Sequence, residues 1–299
     1  MAPWRRQYQI SNVASRVWWF DQQILEALNP SQAGSAAGST RSTTQLGSSP
    51  AIRPVVEKAA VADRRSHQNV VVLGSGMDTR PWRLDLPSGV HWYEIDREDV
   101  LSAKQRALQQ LGVQFSRRGQ PPAAAGEGKV VTAFPLKAKS WTALEADLCS
   151  PGWSQRLQAA GFDPSLPTVW VAEGLLMYLT QQEVDALLQE MAESSSQGST
   201  LVVHQTGEEL LQLLQQGDVD YPPFSMELMR TWYSGFPLDP TQRLAKAGWQ
   251  LEQAITRAQI AHEICGGSPE GRCDFDITIG QGRDRYAVFV VAKKLAGNV

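Results

Sequence analysis

The sequence has few cysteines and histidines, little net charge and no long apolar run. Its 299 residues include three cysteines, four histidines and a net charge of −3. A membrane-spanning helix needs about 18–20 consecutive apolar residues, and the sequence has no such run. A small negative charge gives no electrostatic reason to expect nucleic acid or an anionic membrane as a partner. An odd, sparse cysteine set is not a disulfide framework, so we expect a reducing, cytoplasmic setting.

Two further features are weak or missing. His262, Cys265 and Cys273 lie close in sequence, but their spacing matches no zinc pattern and a fourth ligand is absent, so no metal site is predicted. The first residues, through Arg6, are not followed by an apolar segment, which disfavours a secretory signal. Early arginines and a later Ser-rich stretch leave an organellar transit peptide open.

The first 63 residues divide by composition. Residues 11–28 place apolar side chains three and four positions apart, which predicts a helix that Asn29-Pro30 ends. Residues 31–50 are rich in Ser, Gly, Ala and Thr, which predicts a flexible loop, and residues 51–63 return to a helical pattern. We expect residues 1–30 to form an N-terminal helical segment and residues 51–299 a single domain, with an acceptor-pocket or lid region at about 206–245.

Strand and helix patterns alternate from residue 69 onward. Predicted strands are 69–73, 90–95, 141–146, 168–172, 200–204, 249–255 and 286–292. Predicted helices between them are 99–111, 153–160, 181–194 and 208–216, the third beginning with a capping box at Thr180 and Glu183. This alternation predicts an α/β fold with a doubly wound, mostly parallel sheet. In the first of these helices the pattern points Val100, Leu101, Leu108 and Leu111 inward and Lys104 and Arg106 outward.

A glycine-containing turn follows the first strand of this alternation. Gly74-Ser75-Gly76 allows a tight turn and close approach of a ligand to the backbone, although a turn made only for packing is the alternative. Asp96 ends the second strand twenty residues beyond Gly76, where a carboxylate can accept hydrogen bonds from both ribose hydroxyls. Asp96 alone also suits a helix N-cap. Together these features predict a site for an adenine nucleoside.

Thr79 distinguishes between two candidate cofactors that contain adenine. A dinucleotide site has a third glycine at this position, where a helix N-terminus meets the pyrophosphate. S-adenosylmethionine has no pyrophosphate, so Thr79 favours it over NAD. Asp147-Leu148 follows the third strand and suits an adenine ring, although such an aspartate is also common in surface turns. Glu173 ends the fourth strand, where its carboxylate suits the cofactor's ammonium group; Leu175, Leu176 and Leu179 after it are interpreted as core.

Five segments in order resemble the leucine carboxyl methyltransferase-like family, over roughly residues 52–205. They are Val70-Val-Val-Leu-Gly-Ser-Gly-Met-Asp-Thr-Arg-Pro-Trp-Arg-Leu84, Tyr93-Glu-Ile-Asp96, Ala146-Asp-Leu148, Gly161-Phe-Asp-Pro164 and Ala172-Glu-Gly-Leu-Leu-Met-Tyr-Leu179. The last segment is more similar to the bacterial and plant O-methyltransferase branch than to the phosphatase methyltransferases.

The resemblance implies a class I methyltransferase fold with an antiparallel C-terminal hairpin, and S-adenosylmethionine as cofactor. The implied cofactor-binding residues are Gly74, Ser75, Gly76, Arg80, Glu94, Asp96, Asp147, Leu148, Glu173 and Gly174. Arg80 has bracing of the loop as an alternative role. The family also uses an arginine upstream of the first motif for the methionine carboxylate; Arg16 matches the local pattern, and Arg53 matches the distance.

Methyl transfer to a carboxylate needs no base, because a carboxylate is ionised at neutral pH, whereas a hydroxyl acceptor favours one. His204 and Tyr178 are the candidate catalytic residues, and a wall position is the alternative for His204. Aromatic residues that line an acceptor pocket or simply cover the core are Tyr178, Tyr221, Phe224, Trp232, Tyr233 and Phe236. The leading hypothesis is O-methylation of a small-molecule carboxyl or hydroxyl group. The alternatives are a protein C-terminal carboxyl methyltransferase, a non-catalytic cofactor-binding protein and an NAD-linked enzyme.

Overall fold

The fold is built on one seven-stranded sheet in the order β3-β2-β1-β4-β5-β7-β6. The computed structural model describes residues 3–29, 69–113, 134–217, 223–257, 259–260 and 287–296. The strands are β1 Asn69–Leu73, β2 His91–Asp96, β3 Ser140–Glu145, β4 Thr168–Ala172, β5 Thr200–Thr206, β6 Trp249–Thr256 and β7 Ala287–Lys294. Strands β1 to β5 run parallel, and β7 runs antiparallel between β5 and β6. The predicted mostly parallel α/β sheet with an antiparallel C-terminal hairpin is confirmed.

Helices cover both faces of the sheet, as expected where parallel strands are linked by crossover helices. The helices are α1 Pro3–Leu28, α2 Arg80–Arg83, α3 Glu98–Gln110, α4 Trp153–Ala159, α5 Gln181–Glu193, α6 Glu208–Gln216, α7 Pro223–Met229 and α8 Thr241–Lys246. Every residue of β1 and β4 is buried, which explains why each strand is apolar after its first residue, Asn69 in β1 and Thr168 in β4. No helix in these ranges is long and apolar enough to cross a membrane.

Alternate residues of the strands point into two separate apolar cores. On one face, α1 packs Trp19, Phe20 and Ile24 into the core that contains Val70 and Val72 of β1. Neighbouring positions of each strand serve the opposite core, which holds α4 and α5. The helix α1 therefore packs directly on the sheet. Its Arg16 lies at Glu173, which directly follows β4.

Several helix boundaries match the sequence patterns. The helix α1 ends at Leu28, directly before Asn29-Pro30, but it begins at Pro3 rather than at residue 11. The helix α5 begins after Thr180, whose hydroxyl accepts the Glu183 amide while the Glu183 carboxylate accepts the Thr180 amide. The predicted capping box is therefore confirmed.

Two orientations predicted for α3 are wrong. Lys104 is 2% exposed rather than outward, and it is paired with the fully buried carboxylate of Glu94. Leu111, predicted to point inward, is 59% exposed because the helix ends at Gln110 and Leu111 is its C-cap. A long lysine stem can cross an apolar helix face and bring its ammonium to a buried carboxylate, which a hydrophobic pattern alone does not reveal.

Some sequence predictions lie outside the described residues. They are the loop at 31–50, the helix at 51–63, Arg53, Tyr221, and the group His262, Cys265 and Cys273.

Candidate cofactor site

The backbone turns sharply where β1 ends. Gly74 and Gly76 both have left-handed conformations, with φ of 61° and 50°, which residues with a Cβ rarely adopt. The Gly74 amide donates to the carbonyl oxygen of Ile95 at 2.8 Å, so the turn is tied to the neighbouring strand β2. A Cβ on Gly74 would lie 2.9 Å from the Leu175 side chain, whereas one on Gly76 would meet nothing within 4 Å. Gly74 thus packs closely against Leu175, and Gly76 faces open space.

Asp96, at the end of β2, points its carboxylate at this turn. Its Oδ2 accepts the Gly76 amide at 2.7 Å, and its Oδ1 accepts the Arg97 amide at 2.8 Å. The helix after it has Arg97 as its N-cap residue and no side-chain cap, so Asp96 does not cap that helix in the usual way. The half-buried carboxylate is fixed in orientation and keeps further lone pairs for a ligand.

Glu173 follows β4 directly and lies between two guanidinium groups. Arg16 Nε donates to Glu173 Oε1 at 2.8 Å, and Arg80 Nη2 donates to Oε2 at 2.7 Å. Gly174 has a φ of 69°, and a Cβ there would lie 3.3 Å from Arg16 Nη1, so this glycine lets the arginine pass close to the backbone. Within the described ranges, Arg16 has no further hydrogen-bond partner, which leaves its terminal amino groups available to an anion.

Arg80 joins the turn, the end of β4 and α1. Besides Glu173, its guanidinium donates to Asp78 Oδ2 at 3.0 Å and to Asp21 Oδ1 at 2.6 Å, and the side chain is 4% exposed. Burial by itself lowers the pKa of Arg80, but the three carboxylates outweigh burial and raise it above its ordinary value. These contacts fit the bracing role that was the alternative for Arg80.

Asp21 is a member of this cluster that the sequence did not single out. It also accepts two hydrogen bonds from Arg83, at 2.5 and 2.7 Å, so one α1 carboxylate pairs with two arginines of α2. The only available signal was its position five residues after Arg16 in an apolar helix, which by itself suggests a solvated helix face. The partners became visible only when α1 was placed on the sheet.

Asp147 and Leu148 lie beyond β3, next to the end of β2. The Ala146 amide donates to the Asp96 carbonyl oxygen at 3.1 Å, which places this turn beside the Asp96 turn. Asp147 accepts the Cys149 amide at 3.0 Å and the Ser150 hydroxyl at 2.9 Å, and these bonds lower its pKa below the usual value. Asp147 is exposed and Leu148 packs partly against the core. Asp147 thus lies in an exposed turn, and its contact with adenine stays a prediction.

Glu94, which the resemblance grouped with the cofactor residues, has a different environment. It is fully buried and paired with Lys104, and burial raises its pKa to about 7 although Lys104 opposes this. A side chain with no exposed surface and a lysine partner is unsuited to ligand contact. We therefore interpret Glu94 as half of a buried ion pair.

His204 lies inside β5, at 5% exposure. Its ring is 4.7 Å from the Phe289 ring, and neither ring nitrogen has a hydrogen-bond partner within the described ranges. Burial, together with the positive charges of Arg16 and Arg257, lowers the pKa of His204 well below its usual value, so the ring is neutral at pH 7. In the parallel pairing of β4 and β5, Ala172 lies opposite Val203, so His204 is level with Glu173.

The aromatic residues proposed for an acceptor pocket separate into two groups. Phe236 is fully buried in a core, so the core alternative holds for it, and Leu176 and Leu179 are confirmed as core residues. Tyr178 and Tyr233 are 40% and 64% exposed and adjacent, because the Tyr233 amide donates to the Met177 carbonyl oxygen. Trp232 is partly exposed, and the side chain of Phe224 is outside the described set.

No group of three or more possible metal-ligating side chains occurs among the residues described.

The sheet order with one antiparallel strand, together with carboxylates after β2 and β4, defines the class I methyltransferase fold. A family model, leucine carboxyl methyltransferase, matches residues 9–192. The chain therefore belongs to the leucine carboxyl methyltransferase family.

Curated relatives agree with this assignment. A Streptomyces avermitilis protein named "Putative S-adenosyl-L-methionine-dependent methyltransferase" is 32% identical over 196 residues, which are 65% of this chain and 59% of that protein. A Mycobacterium avium protein with the same description is 32% identical over 237 residues, 76% of this chain and 68% of that protein. The chain thus spans about three fifths to two thirds of these relatives.

Similar solved structures include one at low identity. Magnesium protoporphyrin IX methyltransferase from Synechocystis, solved with S-adenosylhomocysteine, is 11% identical, with a TM-score of 0.46 over 98% of this chain and 88% of that chain. A likeness at this level carries no argument about substrate.

Proposed function

We propose that the chain is an S-adenosylmethionine-dependent methyltransferase that methylates a carboxyl or hydroxyl oxygen of a small molecule. The observation that carries the proposal is the meeting of three features at the carboxyl ends of adjacent strands. They are the glycine turn after β1, Asp96 after β2, and Glu173 with its two arginines after β4. Ligands of parallel sheets bind at this edge.

The residues present fit each part of this cofactor. Asp96 is fixed by two backbone amides and has lone pairs left for ribose hydroxyls. Glu173 offers a carboxylate for the methionine ammonium. The amino groups of Arg16, which have no partner among the described residues, suit the methionine carboxylate. Leu148 and Asp147, beside Asp96, suit the adenine ring. The Ser75 hydroxyl is buried without a partner in the described part of the chain, so it also has capacity for a ligand.

The same edge suits a dinucleotide poorly. The helix after the turn, α2, has four residues, and its first amide already donates to Asp78 Oδ1 at 2.8 Å. A pyrophosphate requires free amides at a helix N-terminus, and here a carboxylate occupies that place and would repel it. This contact adds a structural reason to the one that Thr79 supplied.

The main catalytic task of the protein is to position the acceptor oxygen relative to the methyl group. Bound S-adenosylmethionine supplies an electrophilic methyl group on a sulfonium. The protein holds the acceptor oxygen in line and excludes water. His204 is neutral and level with Glu173, and its ring nitrogens have no partner in the part of the chain that the structure describes, so we assign it a hydrogen bond to the acceptor oxygen. The exposed Tyr178 beside Tyr233 is the second acceptor contact in this proposal.

Binding calorimetry tests the proposal directly. Folded protein is titrated with S-adenosylmethionine and, separately, with NAD. Heat with the first and none with the second is the expected result, and no heat with S-adenosylmethionine would refute the proposal. A screen with methyl-labelled cofactor over metabolite and peptide pools then identifies the acceptor. Label that enters only peptide C-termini would replace the small-molecule assignment, and cofactor binding without any transfer would favour a non-catalytic protein.

A further inference from the structure

Asp21 of α1 is one of three carboxylates that hold the guanidinium of Arg80. Asp21 Oδ1 accepts Arg80 Nε at 2.6 Å, while the two Nη atoms of Arg80 donate to Asp78 and Glu173. All three carboxylates are largely buried, with side-chain exposures of 14%, 5% and 12% for Asp21, Asp78 and Glu173. Each of the three nitrogens of Arg80 thus has its own carboxylate.

A guanidinium group is planar and rigid, so its nitrogens cannot move independently. The bond between Nε and Asp21 therefore sets the plane in which Nη2 donates to Glu173. If that bond is lost, Asp78 and Glu173 still pair with the two Nη atoms, but Nε no longer fixes the plane of the group, so the orientation of Glu173 is less well defined. Asp21 contacts none of the residues assigned to ribose or adenine in the described structure.

We propose that Asp21 of α1 is a positioning residue for the cofactor's amino-acid portion, acting through Arg80 on Glu173. It touches no ligand itself. Its effect is to hold the Glu173 carboxylate in the orientation that receives the cofactor's ammonium. The helix α1 is in this way part of the cofactor site through Asp21 as well as through Arg16. The inference rests on the proposed function.

The experiment compares two ligands that share the adenosine and the thioether. S-adenosylhomocysteine has the amino-acid portion, and 5′-methylthioadenosine lacks it. Asp21→Asn keeps the size of the side chain but removes its charge. The contact at risk is the hydrogen bond between Glu173 and the ligand's ammonium group, and a hydrogen bond to a charged group contributes about 1.5–3 kcal/mol. Asp21→Asn should therefore weaken the binding of S-adenosylhomocysteine by about 10- to 150-fold. The affinity of the Asp21→Asn variant for 5′-methylthioadenosine should change less than about threefold.

Two variants serve as controls. Arg83→Gln removes the other partner of Asp21 and loosens α1 without touching Arg80, so it should leave both affinities nearly unchanged. Glu26→Gln changes an exposed carboxylate on the same helix and controls for the charge. Thermal unfolding of every ligand-free variant shows that the protein measured is folded.

The outcomes are distinct. The inference is supported if Asp21→Asn, and neither control variant, selectively loses affinity for S-adenosylhomocysteine. Equal weakening of both ligands, the same loss in Arg83→Gln, or no change in Asp21→Asn overturns it, because Asp21 would then support the fold or contribute nothing. If the wild-type protein binds neither ligand, the proposed function fails before any variant is compared, and this inference fails with it.

Discussion

Replacement of Asp96 tests the centre of the proposed site. Asp96→Ala removes a carboxylate that accepts the Gly76 and Arg97 amides and is assigned to the ribose hydroxyls. We expect a large loss of S-adenosylmethionine affinity and a small loss of stability. The two effects differ because the amides can turn to water in the free protein, whereas the ribose hydroxyls lose a charged acceptor that water replaces poorly in the complex.

The size of each effect follows from the contacts. A hydrogen bond to a charged group contributes about 1.5–3 kcal/mol, so the dissociation constant should rise by about 10- to 150-fold. Loss of the acceptor for the Gly76 amide should lower the free energy of unfolding by about 1 kcal/mol, and the melting temperature by about 2–4 °C.

Calorimetric titration gives the affinity, and urea unfolding gives the stability. Asp99→Asn is the matched control, because Asp99 lies three residues further on and its exposed side chain forms an ion pair with the exposed Arg97, away from the glycine turn. It should change neither quantity appreciably. An unchanged affinity in folded Asp96→Ala would refute the ribose role, and a variant that fails to fold would show that the carboxylate is chiefly a structural brace.

Three further changes should have separable effects. Lys104→Met leaves the carboxylate of Glu94 buried without its partner, so urea unfolding should show about 3–5 kcal/mol of lost stability. Because burial raises the folded-state pKa of Glu94, this loss should grow as the pH rises from 5 to 8. His204 has a lowered folded-state pKa. Below about pH 6.5, the His204 ring is therefore protonated in the unfolded chain but stays neutral in the folded protein. Wild-type stability should therefore fall more than that of His204→Leu between pH 6.5 and 5, by up to about 1.4 kcal/mol per pH unit. Gly74→Ala and Gly76→Ala both place a Cβ on left-handed backbone, at φ of 61° and 50°, which should cost each about 1–2 kcal/mol. Gly74→Ala also brings a Cβ 2.9 Å from the Leu175 side chain, so it should lose about 1 kcal/mol more, whereas Gly76→Ala should also weaken cofactor binding.

Each of these has a result that contradicts it. Restored stability in the double variant Glu94→Gln, Lys104→Met would support the first, and equal losses at pH 5 and pH 8 would contradict it. Parallel stability curves for wild type and His204→Leu would mean that His204 is protonated in the folded protein. If Gly74→Ala and Gly76→Ala were equally stable, the contact with Leu175 would be unimportant.

Local patterns in the sequence were sufficient for much of the fold. The β1 and β4 bounds coincide with the predicted strands, because strands buried on both faces need an unbroken apolar run. The capping box at Thr180 set the start of α5, since its hydrogen bonds join residues only three apart. The glycine turn and Asp96 were recognisable because their roles depend on backbone conformation and on position at a strand end.

The tertiary structure decided the rest. Lys104 and Glu94 lie on a helix and a strand, and only their packing shows that each is the other's buried partner. The cluster of Arg16, Asp21 and Arg80 with Glu173 joins residues up to 157 positions apart in the chain. The sequence made Arg16, Arg80 and Glu173 separate candidates, and only the packing of α1 shows that they form one cluster with Asp21.

The physical reason is the range of the forces involved. Hydrophobic periodicity, capping and turn conformation act within a few residues, so the sequence by itself determines strands, helix ends and the glycine turn. The partner of a charge depends on which elements the sheet order brings together. In this protein the placement of α1 against β1, β4 and β5 turned an N-terminal helix into one wall of the proposed cofactor site.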